Sequence, residues 1–320
     1  MSTPQPDVPH EGPDSSGNPM PEAAALGERR ARKSQKASRA GRNLPAAIAV
    51  GLTLLAALLA GLFLWPMGFV LIAVSAALLG VWEVFRAFEA HGTRVPIVPI
   101  MAAAVAIPVT AYFGGQEAQL FALLASCAAV LVWQSLEHPD GATRGVFAGV
   151  FVVLWIPFLI GYALLPLHAA TPPPGFGLWQ GGAVPPSTLQ LAVTLLLVVA
   201  NDTFGYIVGA SLGKHPMAPK ISPKKSWEGF AGSAAGALVI GVLGAVLLLG
   251  RPWWVGAVLA VVMVGAATAG DLAESMVKRE LGIKDMSSIL PGHGGMMDRL
   301  DSILFGVPAA YLVFSLLQGI

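Results

Sequence analysis

The sequence predicts an all-α integral membrane protein, a polytopic helical bundle with about nine transmembrane helices, its N-terminus cytoplasmic and its C-terminus external. Three observations predict it. Of 320 residues, 55% are hydrophobic and only 12% are charged, against about 25% charged in a soluble domain. The apolar residues fall in blocks of about 20, the length that crosses a hydrocarbon core of roughly 30 Å as a helix. Lysine and arginine, finally, divide unevenly between the segments that join those blocks. The alternating pattern of a membrane barrel is absent, and spanning helices satisfy their own backbone in lipid.

Residues 1–43 are rich in Pro, Gly, Ser and Glu, then basic from Arg29 to Arg42. They lack the apolar surface needed to fold and read as a disordered cytoplasmic tail. They do not read as a signal peptide, because no small-residue cleavage site follows a short apolar core. Residues 44–320 form the membrane domain, with 44–187 mainly scaffold and 188–320 carrying the chemistry. Hydropathy places spans at about 44–64, 67–88, 96–114, 118–136, 145–166, 188–210, 229–249, 253–272 and 300–319.

With the N-terminus inside, 18 of the 19 Lys and Arg residues fall on the inner side, and Arg251 alone lies outside. Such asymmetry is the positive-inside rule for short loops. The outer stretch 167–187, with its TPPPGFG and AVPP runs, has no Lys or Arg. Trp65, Trp253 and Trp254 fall at outer span ends, where indoles settle at the headgroup level. Cys127 is the only cysteine, so no disulfide can form within the chain. The net charge of +1 points to no partner, and no nucleic-acid partner is expected.

Polar residues gather in the last third. Asp202 lies roughly 12 Å inside the sixth span at 1.5 Å per residue. A carboxylate there is costly unless it is paired, hydrated or holding a cation, so it is read as lining a polar cavity. The next inner loop, KHPMAPKISPKKSWEG, places Lys214, Lys220, Lys224 and Lys225 beside Ser222 and Ser226, which suits a polyphosphate.

The final inner segment is the most informative. Asp271, Glu274 and Lys278 are spaced to share one helix face, and so are Asp298 and Asp301. Between them, PGHGG offers backbone amides that can approach an anion closely. Carboxylates that bracket such a loop can hold a hard divalent cation, while the neighbouring cations take phosphate oxygens. The constellation calls for a phosphorylated substrate and a metal ion.

The stretch SMVKRELGIKDMSSILPGHGGMMDRLD closely resembles the signature of the phosphatidate cytidylyltransferases. The pattern falls on Ser275, Lys278, Arg279, Lys284, Asp285, Pro291 to Gly295, Asp298, Arg299 and Asp301. NDTFGYIVGASLGK and ISPKKSWEG are similar to the family's upstream segments, so the resemblance covers about 201–302. Ser287 and Ser288 depart from it, since many relatives carry a glycine after the Lys-Asp pair.

The resemblance implies transfer of a cytidylyl group from CTP to phosphatidic acid in the bilayer, giving CDP-diacylglycerol and pyrophosphate. It implies Mg²⁺, with Mn²⁺ as an alternative and room for a second cation. Asp271 and Asp298 would be the first metal ligands, with Asp301 and Asp202 next. Lys224, Lys225, Lys278, Arg279 and Lys284 would hold phosphates. Ser222, Asp285, His293, Gly294, Gly295 and Arg299 complete the substrate-binding set, with Asp271, Asp298, Lys278 and Arg279 as the catalytic group.

Both substrates place the site at the cytoplasmic face, and a composition rich in Ala, Gly and Pro points to a bacterial plasma membrane. A homodimer is an assembly the sequence leaves open. Three rival readings share parts of this pattern. A CTP-dependent polyprenol or lipid kinase would use similar loops, and a CDP-alcohol phosphotransferase would need a D-x-x-D-G-x-x-A-R arrangement that is absent. A transporter would show internal repeats, and none is visible.

Overall fold

A computed structural model describes residues 44–137, 142–168, 184–287, 289 and 294–317. The expected tail, 1–43, lies outside the described residues. Among the described residues ten helices follow one another, interrupted by one small hairpin. They are α1 (Leu44–Phe63), α2 (Pro66–Ala90), α3 (Ile97–Glu137) and α4 (Ala142–Val153), which runs through a π-helical turn at Leu154–Phe158 into the short α5 (Leu159–Gly161) and α6 (Leu165–His168). Then come α7 (Pro186–Leu212), strands β1 (Pro216–Ala218) and β2 (Ser222–Ser226), α8 (Trp227–Leu243) with a π-helical turn at Gly244–Leu248, α9 (Trp253–Glu280) and α10 (Met297–Leu316).

Among the described residues, seven helical segments are long and apolar enough to cross a membrane. The sequence reading and this count differ at two places. One is α1, which is not among the seven. The other is α3, counted once, where the sequence expects separate spans at 96–114 and 118–136.

The α3 segment is not straight. At 1.5 Å per residue its 41 residues would extend about 60 Å, yet the Gln134 side chain near its end donates to the Arg94 carbonyl just before its start, at 3.4 Å. The chain reverses at Gly115, whose φ of 72° is the left-handed region that glycine enters without a Cβ clash. His168 holds the reversal through a 2.9 Å bond between Nδ1 and the Tyr112 carbonyl, and Gln119 Nε2 donates to the Phe158 carbonyl at 2.8 Å.

Helix starts follow from local chemistry. Pro66 and Pro186 open α2 and α7, where a missing N–H costs nothing. Ser226 caps α8, its hydroxyl accepting from the Gly229 amide at 3.1 Å. Large apolar side chains such as Phe121, Phe147, Leu247 and Val261 point outward and are about 70% exposed, as lipid-facing residues do.

Two buried clusters form the interior. One joins α1–α6 to the start of α10 through residues such as Val81, Ile107, Ile156, Leu300 and Leu304. The other joins α7, α8 and α9 to the end of α10 through Leu197, Ala237, Met263, Ala310 and Val313. Helix α10 therefore belongs to both, and its first turn sits where the two halves meet.

Candidate active site

At one end of the bundle the second half of α7, the hairpin, the start of α8, the second half of α9 and the first turns of α10 line a cavity of about 380 Å³. The hairpin forms because Pro219 and Lys220 make a tight reversal between strands paired Ala218 to Ser222 and Pro216 to Ser226. Glu228, in the first turn of α8, ties the hairpin's base down. It accepts from the Lys214 and His215 amides at 3.0 and 3.2 Å, and pairs with the His215 ring at 2.5 Å. That anchoring presents Lys224 and Lys225 to the cavity, beside the amide end of α8 at Ser226 and Gly229. A helix N-terminus with two lysines favours an anion.

Acids face them from three helices. Asp202 of α7, Asp271 of α9 and Asp298 and Asp301 of α10 all line the cavity. Asp271 Oδ2 meets Lys225 Nζ at 2.5 Å, and its Oδ1 accepts from Ser275 at 3.4 Å. Asp202 Oδ1 accepts from Asn201 Nδ2 at 2.9 Å and from Ser302 Oγ at 3.4 Å. Asp301 Oδ1 accepts from the Ser302 amide at 2.6 Å. Gly270 makes this gathering feasible, because a Cβ there would run into the Asp301 carbonyl and hold α9 away from α10.

Asp298 is held differently. Its Oδ1 takes Lys278 Nζ at 2.8 Å, and its Oδ2 accepts the Met286 and Gly295 amides at 3.2 and 2.9 Å. Lys278 also pairs with Glu274, one turn before it, at 2.6 Å. Glu274 is fully buried, and its second oxygen has no partner among the described residues. The three-and-seven spacing on α9 thus does place Glu274 and Lys278 together, while Asp271 turns toward Lys225.

Of the residues read from sequence, Asp202, Lys224, Lys225, Asp271, Asp298, Arg299 and Asp301 meet around the cavity. Lys278 and Gly295 stand immediately behind Asp298. Arg279 reaches instead to the Ile221 and Ile283 carbonyls, tying the hairpin to the segment after α9. Ser222 is engaged in the strand pairing, and Lys284 and Asp285 are exposed away from the cavity lining. Gly294 has a φ of 82°. His293, with Pro291 and Gly292, lies outside the described residues.

Sequence reasoning overlooked Asn201, Ser302 and above all Glu83 of α2. The Glu83 carboxylate is buried against the start of α10. Its signal was present, a lone acid within the apolar run LLGVWEVF.

No three acidic or histidine side chains among the described residues converge closely enough to hold a metal unaided. The donor set still suits a hard cation. Mg²⁺ is usually bound by one or two carboxylates together with substrate phosphates, and needs no complete protein cage. The charges argue the same way. Four lining carboxylates face three lining cations, Lys224, Lys225 and Arg299, so the wall offers no surplus positive charge to a polyphosphate.

The model of the cytidylyltransferase family matches residues 45–317. Phosphatidate cytidylyltransferase of Mycobacterium bovis is 38% identical, over 94% of this chain and 97% of that protein. That of Mycobacterium leprae is 37% identical, again over 94% of this chain and 97% of its own length. The Haemophilus influenzae enzyme is 39% identical over 48% of this chain and 51% of its own. With the match running through every helix described above, the chain belongs to the cytidylyltransferase family.

Proposed function

We propose that this protein is a phosphatidate cytidylyltransferase, transferring the cytidylyl group of CTP to phosphatidic acid and releasing pyrophosphate. One observation carries the reading. The signature acids of α10, Asp298 and Asp301, share a single cavity with Asp271 of α9 and the two lysines of the hairpin. The relatives' activity supports the choice of substrates.

A phosphate monoester has a second pKa near 6, so at neutral pH the lipid phosphate is already an ionised nucleophile. No strong general base is required. An oxygen of that phosphate attacks the α-phosphorus of CTP, the bond to the β-phosphate oxygen breaks, and pyrophosphate leaves with the electron pair. The protein's task is in-line placement and neutralisation of charge. Lys224, Lys225, Arg299 and the amide end of α8 hold phosphate oxygens. Lys225 pairs with Asp271 at a partly exposed contact and can exchange that partner for a phosphate. Asp271, Asp301 and Asp202 would hold Mg²⁺, with Asp298 beside them. The metal would supply charge neutralisation and orientation of the triphosphate.

Nine crossings follow if α1 spans the bilayer and each arm of α3 does so separately. The N-terminus then lies inside and the C-terminus outside, and the cavity faces the cytoplasm, where CTP is available. Phosphatidic acid reaches the site from the plasma membrane itself.

The test is a product assay on purified protein in micelles containing phosphatidic acid, Mg²⁺ and CTP labelled at the α-phosphate. Label should move into a lipid-soluble product with one pyrophosphate released per transfer. EDTA should abolish the transfer, and added Mg²⁺ or Mn²⁺ should restore it. An unlabelled lipid fraction, with γ-label appearing on an added polyprenol, would replace this reading with the lipid kinase.

A further inference from the structure

The segment leading into α10 is clamped at its base by two carboxylates from distant parts of the chain. Asp298 bridges the Met286 amide to the Gly295 amide. Glu83 makes a second bridge alongside. Its Oε1 accepts from the Ser287 hydroxyl at 2.5 Å and the Met296 amide at 2.8 Å, while Oε2 accepts from the Met297 amide at 2.8 Å. Each acid therefore ties the residues entering the loop to those leaving it.

Glu83 comes from α2 and is 1% exposed, and among the described residues no Lys or Arg is paired with it. A buried carboxylate survives where its charge is hydrogen-bonded. Here the free amides at the start of a 20-residue helix meet it, and the helix dipole favours negative charge at that end. Ser287 supplies the remaining donor.

We infer that Glu83 is a positioning residue for cytidylyl transfer. By closing the base of the loop it sets the first turn of α10, and so directs Asp298, with Lys278 behind it, at the cavity. The inference rests on the activity proposed above. Charge and shape are both needed. A carboxamide has one acceptor oxygen, and its NH₂ would face the donors that the carboxylate now receives.

The experiment compares the full chain with Glu83→Gln, Ser287→Gly and the double variant. It measures kcat, KM for CTP, thermal unfolding, and hydrogen exchange of the amides at 295–297. Glu83→Gln should lower kcat about 10- to 100-fold, the scale of hydrogen bonds to a charged group. KM for CTP should stay within about threefold, because Lys224 and Lys225 are untouched. Ser287→Gly should lower kcat about two- to fivefold alone and add nothing in the double variant, since the two side chains touch. It removes only a hydroxymethyl group, and it carries the test if Glu83→Gln does not fold.

Wild-type kcat in Glu83→Gln would overturn the inference. So would a loss that tracks the unfolded fraction, or full additivity in the double variant. Should the unsubstituted protein make no labelled lipid, the proposed activity fails. Exchange then decides about the clamp. Faster exchange at 295–297 in Glu83→Gln supports it, and unchanged exchange rules it out.

Discussion

Lys225 and Lys278 each reach an aspartate on another element, and their surroundings are opposite. Lys225 stands on the hairpin, and it and Asp271 keep side-chain exposures of 22% and 32% at the cavity. Lys278 lies between Glu274 and Asp298, whose side chains are 0% and 9% exposed. A pair in contact with solvent gains little from its Coulomb attraction and exchanges partners readily. A buried pair has lost its hydration and is costly to break. The difference separates an exposed pair at the cavity from a buried group that holds its wall in shape.

The sharpest way to break this comparison is through Asp271. If the open pair belongs to the reaction, Asp271→Asn should reduce turnover by at least about 100-fold, the upper end of what is lost when even a supporting group of a metal site is removed. Its thermal unfolding should match the unsubstituted protein. The Mg²⁺ concentration giving half-maximal activity should rise. Near-normal turnover across a Mg²⁺ titration would exclude Asp271 from the metal and leave Asp301 and Asp202 to hold it.

Lys278 and Lys225 give the next contrast, this time in stability. Lys278→Met strands Glu274 and Asp298 without their cation, and removing one partner of a buried pair costs about 3–5 kcal/mol. Lys225→Met should cost less than about 1 kcal/mol and should raise KM for CTP. Chemical unfolding in detergent, followed by tryptophan fluorescence, measures both. Equal costs would show that exposure does not distinguish the two pairs.

The same contrast explains what could be read from the sequence. The acids facing the open cavity were legible because they interrupt apolar runs at helical spacing, as Asp202, Asp271 and Asp301 do. The match to the family's signature then named their chemistry. What spacing could not supply was direction. Arg279 follows Lys278 in the chain, yet one turns to backbone carbonyls and the other to Asp298, because successive helical residues face about 100° apart. Asp298 reads as a free ligand, but Lys278 occupies one of its oxygens and the Met286 and Gly295 amides the other. Glu83 lies more than 200 residues from its partners, and no local pattern reports a contact of that range. For the same reason the sequence does not show that α2 delivers a carboxylate to the start of α10.

The fold was legible where length alone decides, and less so at Gly115. Two apolar spans separated by FGGQE look like two helices from the sequence. The backbone keeps helical bonding so nearly to the turn that the pair forms one interrupted element. The reversal shows in the left-handed φ at Gly115 and in the contact between Gln134 and Arg94.

The smallest expected effect tests how the open pair is held in place. Ser226 lines the cavity and caps α8, and the strand it ends also carries Lys224 and Lys225. Ser226→Ala removes the acceptor for the Gly229 amide and should cost about 1 kcal/mol. Ser226→Asp should recover most of that stability, because aspartate caps as well as serine, but it adds a negative charge where phosphate is to bind. The two variants therefore part company. Ser226→Ala should be slightly unstable with KM for CTP raised a few-fold, whereas Ser226→Asp should be stable with KM raised further. Paired measurements of unfolding and KM separate the cap's structural contribution from the electrostatics of the anion site. If both variants bound CTP as the unsubstituted protein does, the amide end of α8 would have no part in holding phosphate, and Lys224, Lys225 and Arg299 would carry that task alone.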